Sequence, residues 1–455
     1  MGKTFHFIDG LQPDRTSKKL MRRHVMKGKN AGKKIHRASR DGLSKDVHRI
    51  KAVNTSDPHG DRSVDLGRVD RKFGDTILTG SFPMVAVNRC SLNIINQFFD
   101  LTTERLYPIS LGFSLCEVKL LWLRLVFTDE AAYHCNISLM QACNEIYLGD
   151  GTSSPKALYH LSQTLTHIQR RLGSCDALSD STMGLIISLI MQEQIRGQGP
   201  ATEVHARGLQ KMVELRGGLS NLERNLTLVL KVCKTDIMLS LQYGRPTMFF
   251  RDHMAEVWNK LASGGHRLDY APVTPLNDLH PYLNKICSDI ANLCCLINRD
   301  PRQPILDLLG FEETFVSICY RLLQLIPMQD TACQIDTQTV FHLGLLIFTM
   351  TTFFQVGQKQ IIDFKALSLR FQNFLDSDPS ELEESLSLWL VTLGGIWCPK
   401  DLNRDLVASR ICLLAQQQGI GSWSEFRSCL GRFPWIHALH DQPGLELWNQ
   451  VQRSH

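Results

Sequence analysis

Residues 205–251 read HARGLQKMVELRGGLSNLERNLTLVLKVCKTDIMLSLQYGRPTMFFR. Up to Arg216 the stretch has the pattern of one amphipathic helix, with Leu209, Met212, Val213 and Leu215 as its apolar residues. Gly217 and Gly218 then break the period, because glycine takes a positive φ without a Cβ clash and so ends helices. Arg216 falls in the last turn, where a cation suits the exposed carbonyls. A second helix follows, with Leu222, Leu226, Val229, Leu230, Cys233, Ile237 and Leu241 at steps of three and four, and it stops at Gly244-Arg245-Pro246. A helix, a glycine turn and a longer buried helix set the expectation for the whole chain, which is all-α.

The same periodicity extends outward in both directions. Toward the N-terminus, Leu120–Phe127 is strongly apolar, and Thr128 or Asp129 caps a helix through Ala131, Ala132, Ile137, Met140 and Cys143. Leu158, Leu161, Leu165, Ile168 and Leu172 alternate steps of three and four, which predicts a packed helix seam that Gly173 ends. Ser179 or Asp180 caps the next helix, with Met183, Ile186, Ile187, Ile190 and Met191 inside; Gly197 and Pro200 close it. Toward the C-terminus, the residues from Pro246 to about Pro275 read as a surface loop that could cover a pocket. Helices are expected again over 279–296, 305–325, 338–354 and 364–375. Asp378-Pro379-Ser380-Glu381 is a start signal for a helix burying Leu382, Leu386, Trp389, Leu390 and Leu393, which Gly394-Gly395 ends. The last helices fall near 402–417 and 423–430, and Trp435 and Trp448 dock the terminal segment. Hairpin signals are nearly missing: Asp41-Gly42 and Asp150-Gly151 lack flanking period-two strands.

Charge is unevenly spread along the 455 residues, whose formal net charge is +5. Residues 1–51 hold fifteen Lys or Arg against four Asp, so a cationic arm precedes a mildly acidic body. The arm has too few large apolar residues to build a core and is expected to be disordered, with a short helix near 17–25 at most. Its basic residues Lys18, Lys19, Arg22, Arg23, Lys27, Lys29, Lys33, Lys34 and Arg37 fall in two clusters, the layout of a bipartite nuclear-import signal, and they also suit contact with phosphates. Residues 52–80 read as a linker, and a single large, irregular helical domain is expected over 81–455.

Several chemistries are argued against. Gly28 to Lys34 only faintly resembles a phosphate loop: it is one residue short and lacks the hydroxyl that holds magnesium. The fourteen cysteines include no pair three apart, so zinc is not expected; Cys287, Cys294 and Cys295 read as core residues of one helix. The pairs His437/His440 and His160/His167 read as structural. No nucleophile elbow, HExxH, dinucleotide fingerprint or kinase set is present. No apolar run follows Met1, and the apolar run near 340–354 is too short to span a bilayer, so neither secretion nor membrane insertion is expected. No cofactor is implied.

The order His205, Gly208-Leu209, Met212-Val213, Leu215-Arg216-Gly217-Gly218-Leu219, then a helix carrying Asp236, resembles the central signature of fungal transcription-factor-like proteins. Phe82-Pro83, Asp129-Glu130-Ala131-Ala132-Tyr133-His134, Trp389 to Gly395 and Trp435 to Trp448 match in the same order, as do Phe7-Ile8-Asp9 and Arg23 to Met26 in the arm. The resemblance implies an all-helical regulatory domain in a nuclear protein that controls transcription, often of secondary-metabolite pathways. The implied partners are DNA, contacted directly or indirectly, and a second copy or another factor. His205 is then a helix-packing or capping residue. One departure stands out. The related zinc-cluster factors read DNA with six cysteines near the N-terminus, whereas the first cysteine here is Cys90, in the helical body. The alternatives are an interaction protein that partners a DNA-reading factor, or an enzyme of a biosynthetic pathway on an unrecognised helical fold.

Overall fold

A computed structural model describes residues 89–101, 109–148, 154–266, 279–299, 305–329, 335–353, 361–377, 382–397 and 402–453. The basic arm, the 52–80 linker, Phe82-Pro83 and the Asp378–Glu381 start signal lie outside these residues.

Sixteen α-helices and no strand occur among the described residues. In chain order they are α1 (Arg89–Leu101), α2 (Leu115–Val126), α3 (Glu130–Leu148), α4 (Pro155–Leu172), α5 (Asp180–Ile195), α6 (Gly199–Leu215), α7 (Leu226–Tyr243) and α8 (Met254–Ser263). Then follow α9 (Pro281–Arg299), α10 (Leu308–Leu325), α11 (Thr337–Phe353), α12 (Lys365–Asp376), α13 (Glu384–Trp397), α14 (Arg404–Gln417), α15 (Trp423–Leu430) and α16 (His437–Arg453). The all-α expectation holds. No described helix is long and apolar enough to cross a membrane.

The helices pack in a relay. α3 gathers α1, α2, α4 and α5; α5 continues to α6 and α7; α7 meets α10 and α12; α10 meets α8, α9 and α11; α11 lies on α13, which carries α14 and α16. Helices in the middle of this relay need apolar residues all round. In α11 the run Val340–Phe353 is buried without a break, and α13 buries all of Ser385–Trp397 except Gly395. That accounts for the 340–354 apolar run: it is a core helix, because its neighbours cover every face.

Side-chain caps set many of the boundaries. Ser114, Ser154, Ser179, Asn225, Asp307, Asn403 and Ser422 each accept a first-turn amide of the helix they precede. Asp129 does the same for α3, its Oδ1 2.9 Å from the Ala132 amide.

Four expectations need correction. The loop expected between Pro246 and Pro275 contains α8, whose Met254, Val257 and Leu261 are buried at steps of three and four. The leucine seam of α4 is turned largely outward: Leu158, Leu165 and Leu172 are about half exposed, and Ala157, His160, Thr164 and Ile168 make the buried face. A row of leucines predicts burial only where a neighbour covers it, and here α3 covers the adjacent face. Leu215 also lies outside the apolar face of α6, being 61% exposed. Finally, Gly394-Gly395 does not end its helix, which runs on to Trp397. The two glycines serve packing. A Cβ on Gly394 would lie 1.9 Å from the Phe371 ring, and one on Gly395 would lie 2.7 Å from Leu447.

Candidate functional site: a buried polar clasp beside an apolar pocket

The decisive stretch folds as a helix, a glycine turn, a 3-10 turn at Leu219–Leu222 and a helix. Gly217 and Gly218 have φ +89° and +92°, the left-handed region that favours glycine. A Cβ on Gly217 would also strike the Asn221 amide, 2.2 Å away. Arg216 caps α6, but its guanidinium does not stay at its own helix end; it reaches across to Asp180, the first residue of α5. Asn225, the N-cap of α7, donates to the other Asp180 oxygen at 2.8 Å. Asn225 and Arg216 together hold the Asp180 carboxyl below the usual carboxylate range. One carboxylate thus ties the start of α5, the end of α6 and the start of α7.

Asp236 is fully buried in α7 and holds the segment that follows the helix. Gly244 caps α7 at φ +71° and turns the chain back. The amides of Met248 and Phe249 then donate to the Asp236 carboxylate at 2.9 to 3.0 Å. Arg245 donates to Oδ1 at 3.1 Å and the Tyr320 hydroxyl of α10 to Oδ2 at 3.0 Å. Burial raises the Asp236 carboxyl above its ordinary value; the two amides, Arg245 and Tyr320 oppose that shift without cancelling it.

The same segment feeds a longer polar chain. The Arg251 guanidinium lies against both oxygens of Glu313 (Nε at 2.9 and 3.0 Å, Nη2 at 2.6 Å) and also meets Glu223. Ser317 donates to Glu313 at 3.2 Å and accepts the His253 amide at 2.9 Å. Arg321, one turn on, donates to Asp289 of α9 at 2.6 Å, and Trp258 of α8 donates to the other Asp289 oxygen at 2.8 Å. Burial works against the charge of Arg251, yet Glu313 and Glu223 raise it above its ordinary value. Fork-shaped guanidinium pairing of this kind is strong and directional. Chemically it is a clasp: the carboxylates already accept from fixed guanidinium, amide and hydroxyl donors, a poor arrangement for moving protons to or from a substrate.

Beside the clasp, α9, α10, α11 and the turn near Leu111 line an apolar pocket that includes Phe113, Ile290, Phe311, Ile318 and Phe353. Its polar residues are threonines. Thr314 and Thr349 donate back to their own helices, whereas the buried Thr352 hydroxyl has no partner among the described residues. An apolar wall with one free hydroxyl suits a small apolar ligand carrying one polar group.

Of the residues singled out by sequence, Arg216, Gly217, Gly218 and Asp236 build this architecture. His205 lies within α6, half-buried and away from either end, so it is not a cap; burial lowers its imidazole below the ordinary value. Gly208 is exposed, with open space where a Cβ would sit. The nine basic residues of the arm lie outside the described residues. Cys287 and Cys294 are buried, and burial pushes the Cys287 thiol up to about 12. His440 is buried, with the Ile436 amide on Nδ1 at 3.0 Å and Thr351 Oγ1 2.9 Å from Nε2, which gives it a structural place. Sequence reasoning missed Arg251, Glu313, Arg321 and Asp289. Their signal was four charged residues inside predicted buried helices or beside them.

The model of a family described as fungal specific transcription factor domain matches residues 105–432. No curated protein and no solved structure matches the chain.

Proposed function

Because the chain belongs to the fungal specific transcription factor domain family, we propose that it is a nuclear regulator of transcription whose 1–51 arm serves import and phosphate contact. The family supports the regulator role itself. The observation that carries the reading is the match across most of the helical body, within which the signature residues Arg216, Gly217, Gly218 and Asp236 tie the helices together. The body is the regulatory part. Its apolar pocket suits a small effector, and its surface meets partner proteins. Control of a secondary-metabolite pathway is the finer expectation that the resemblance carries.

The arm's share is set by counterion release. Each lysine or arginine placed on a phosphate makes log K fall with log salt by a slope of about −0.9. Full-length protein should bind mixed-sequence duplex DNA with a steep salt slope and concentrate in the nucleus. Removal of residues 1–51 should flatten that slope and leave the protein cytosolic. Unchanged binding and nuclear accumulation without the arm would remove it from the account.

A further inference from the structure

The helix pair α3–α4 carries a cluster of imidazoles unrelated to the clasp. Glu130 and His134 are one turn apart on α3, and His167 faces them from α4. Their ligand atoms all lie within 4.8 Å of one another. His167 Nε2 is 3.8 Å from Glu130 Oε2, and the His134 and His167 rings stack at 6.0 Å between centroids. His160, also on α4, is buried, with its Nδ1 2.9 Å from His134 Nδ1.

We propose that Glu130, His134 and His167 bind a zinc-class divalent transition-metal ion, with the fourth position open to water. Two imidazoles and a carboxylate are a donor set that such ions favour, and three protein ligands leave an open position. Tetrahedral bonds of about 2.0–2.1 Å put ligand atoms about 3.3 Å apart. The ligand atoms therefore draw in by up to about 1.5 Å, and the exposed Glu130 side chain can take part in that movement. The side chains of Glu130 and His167 are 67% and 15% exposed, so an ion can enter from solvent.

The neighbours fit the same role. The contact of His134 Nδ1 with His160 leaves Nε2 of His134 to take the ion, and His160 would orient the ring in the way that outer partners orient metal-ligating histidines. Asp129 is not a competitor, because Arg171, Ser181 and the Ala132 amide occupy its oxygens. The ion would pin α3 to α4. This inference does not depend on the transcriptional reading.

The test is cobalt(II) titration of the metal-stripped full-length protein. The expected result is one equivalent bound, with visible d–d bands, no thiolate charge-transfer band, and displacement by zinc. The bands should vanish in His134→Gln and His167→Gln. Glu130→Gln should weaken binding by about tenfold or more, a loss of the size seen when groups around a metal are removed. Glu130 is exposed, so its variant keeps the test open should a histidine variant fail to fold, as circular dichroism of the metal-free proteins would show. Three results would overturn the proposal: no saturable binding, a thiolate charge-transfer band, or d–d bands that survive in the folded variants.

Discussion

At the scale of the residue, Asp236 carries the most. A buried carboxylate must be fully satisfied, and this one accepts from two backbone amides, a guanidinium and a phenol. Asp236→Ala orphans all four donors, so it should destabilise by about 3 kcal/mol or more, at roughly 1–3 kcal/mol for each unsatisfied buried group. Tyr320→Phe alone should cost about 1 kcal/mol. Urea unfolding of the two single variants and the double variant should show the double costing less than the sum, because both remove the same contact. Strict additivity would mean that Tyr320 does not act through Asp236. The sequence picks out Asp236 through the signature, but not its task. Met248 and Phe249 come twelve and thirteen residues later, and Tyr320 comes from another helix, so no spacing announces them.

At the scale of the element, helix existence was legible and helix facing was less so. Periodicity located α4 and α13, and Ser179 and Asp129 behave as caps because capping depends only on the next three residues. Facing depends on neighbours. That is why Leu158 and Leu165 point outward on α4 while His160 is buried, and why α8 was hidden in a stretch rich in glycine and proline. Gly394 shows the same limit. In sequence it reads as a stop, yet in the fold it is the slot for the Phe371 ring. Gly394→Ala should therefore destabilise by about 1–3 kcal/mol through overpacking. Adding Phe371→Leu should recover part of that loss, read from the shift in thermal midpoint. A Gly394→Ala protein as stable as the parent would show that the close approach is not tight.

At the scale of the whole molecule, the relay buries polar groups that only the complete fold satisfies. His342 and His440 are buried, and burial lowers them to about 4 and about 3. Their folded values lie below the ordinary histidine value. Between that value and the folded one, the unfolded chain takes up protons that the native protein refuses. The stability linked to these rings is therefore present above about pH 6.5 and is lost as the pH falls toward 4 and then 3, at up to about 1.4 kcal/mol per pH unit for each ring. Urea midpoints measured from pH 7 to pH 4 should fall accordingly, and His342→Gln should reduce the slope; a slope unchanged in that variant would contradict the assignment. The candidate site was half legible from sequence. The signature marked the clasp's first members, but the Arg251–Glu313 and Arg321–Asp289 pairs join segments far apart in the chain.

We propose that this helical body belongs to a nuclear regulator of transcription. The decisive experiment is genome-wide chromatin occupancy of the tagged full-length protein. Discrete peaks at promoters, lost when residues 1–51 are removed, are the expected result. Occupancy no greater than background, with the intact protein in the cytosol, would contradict it.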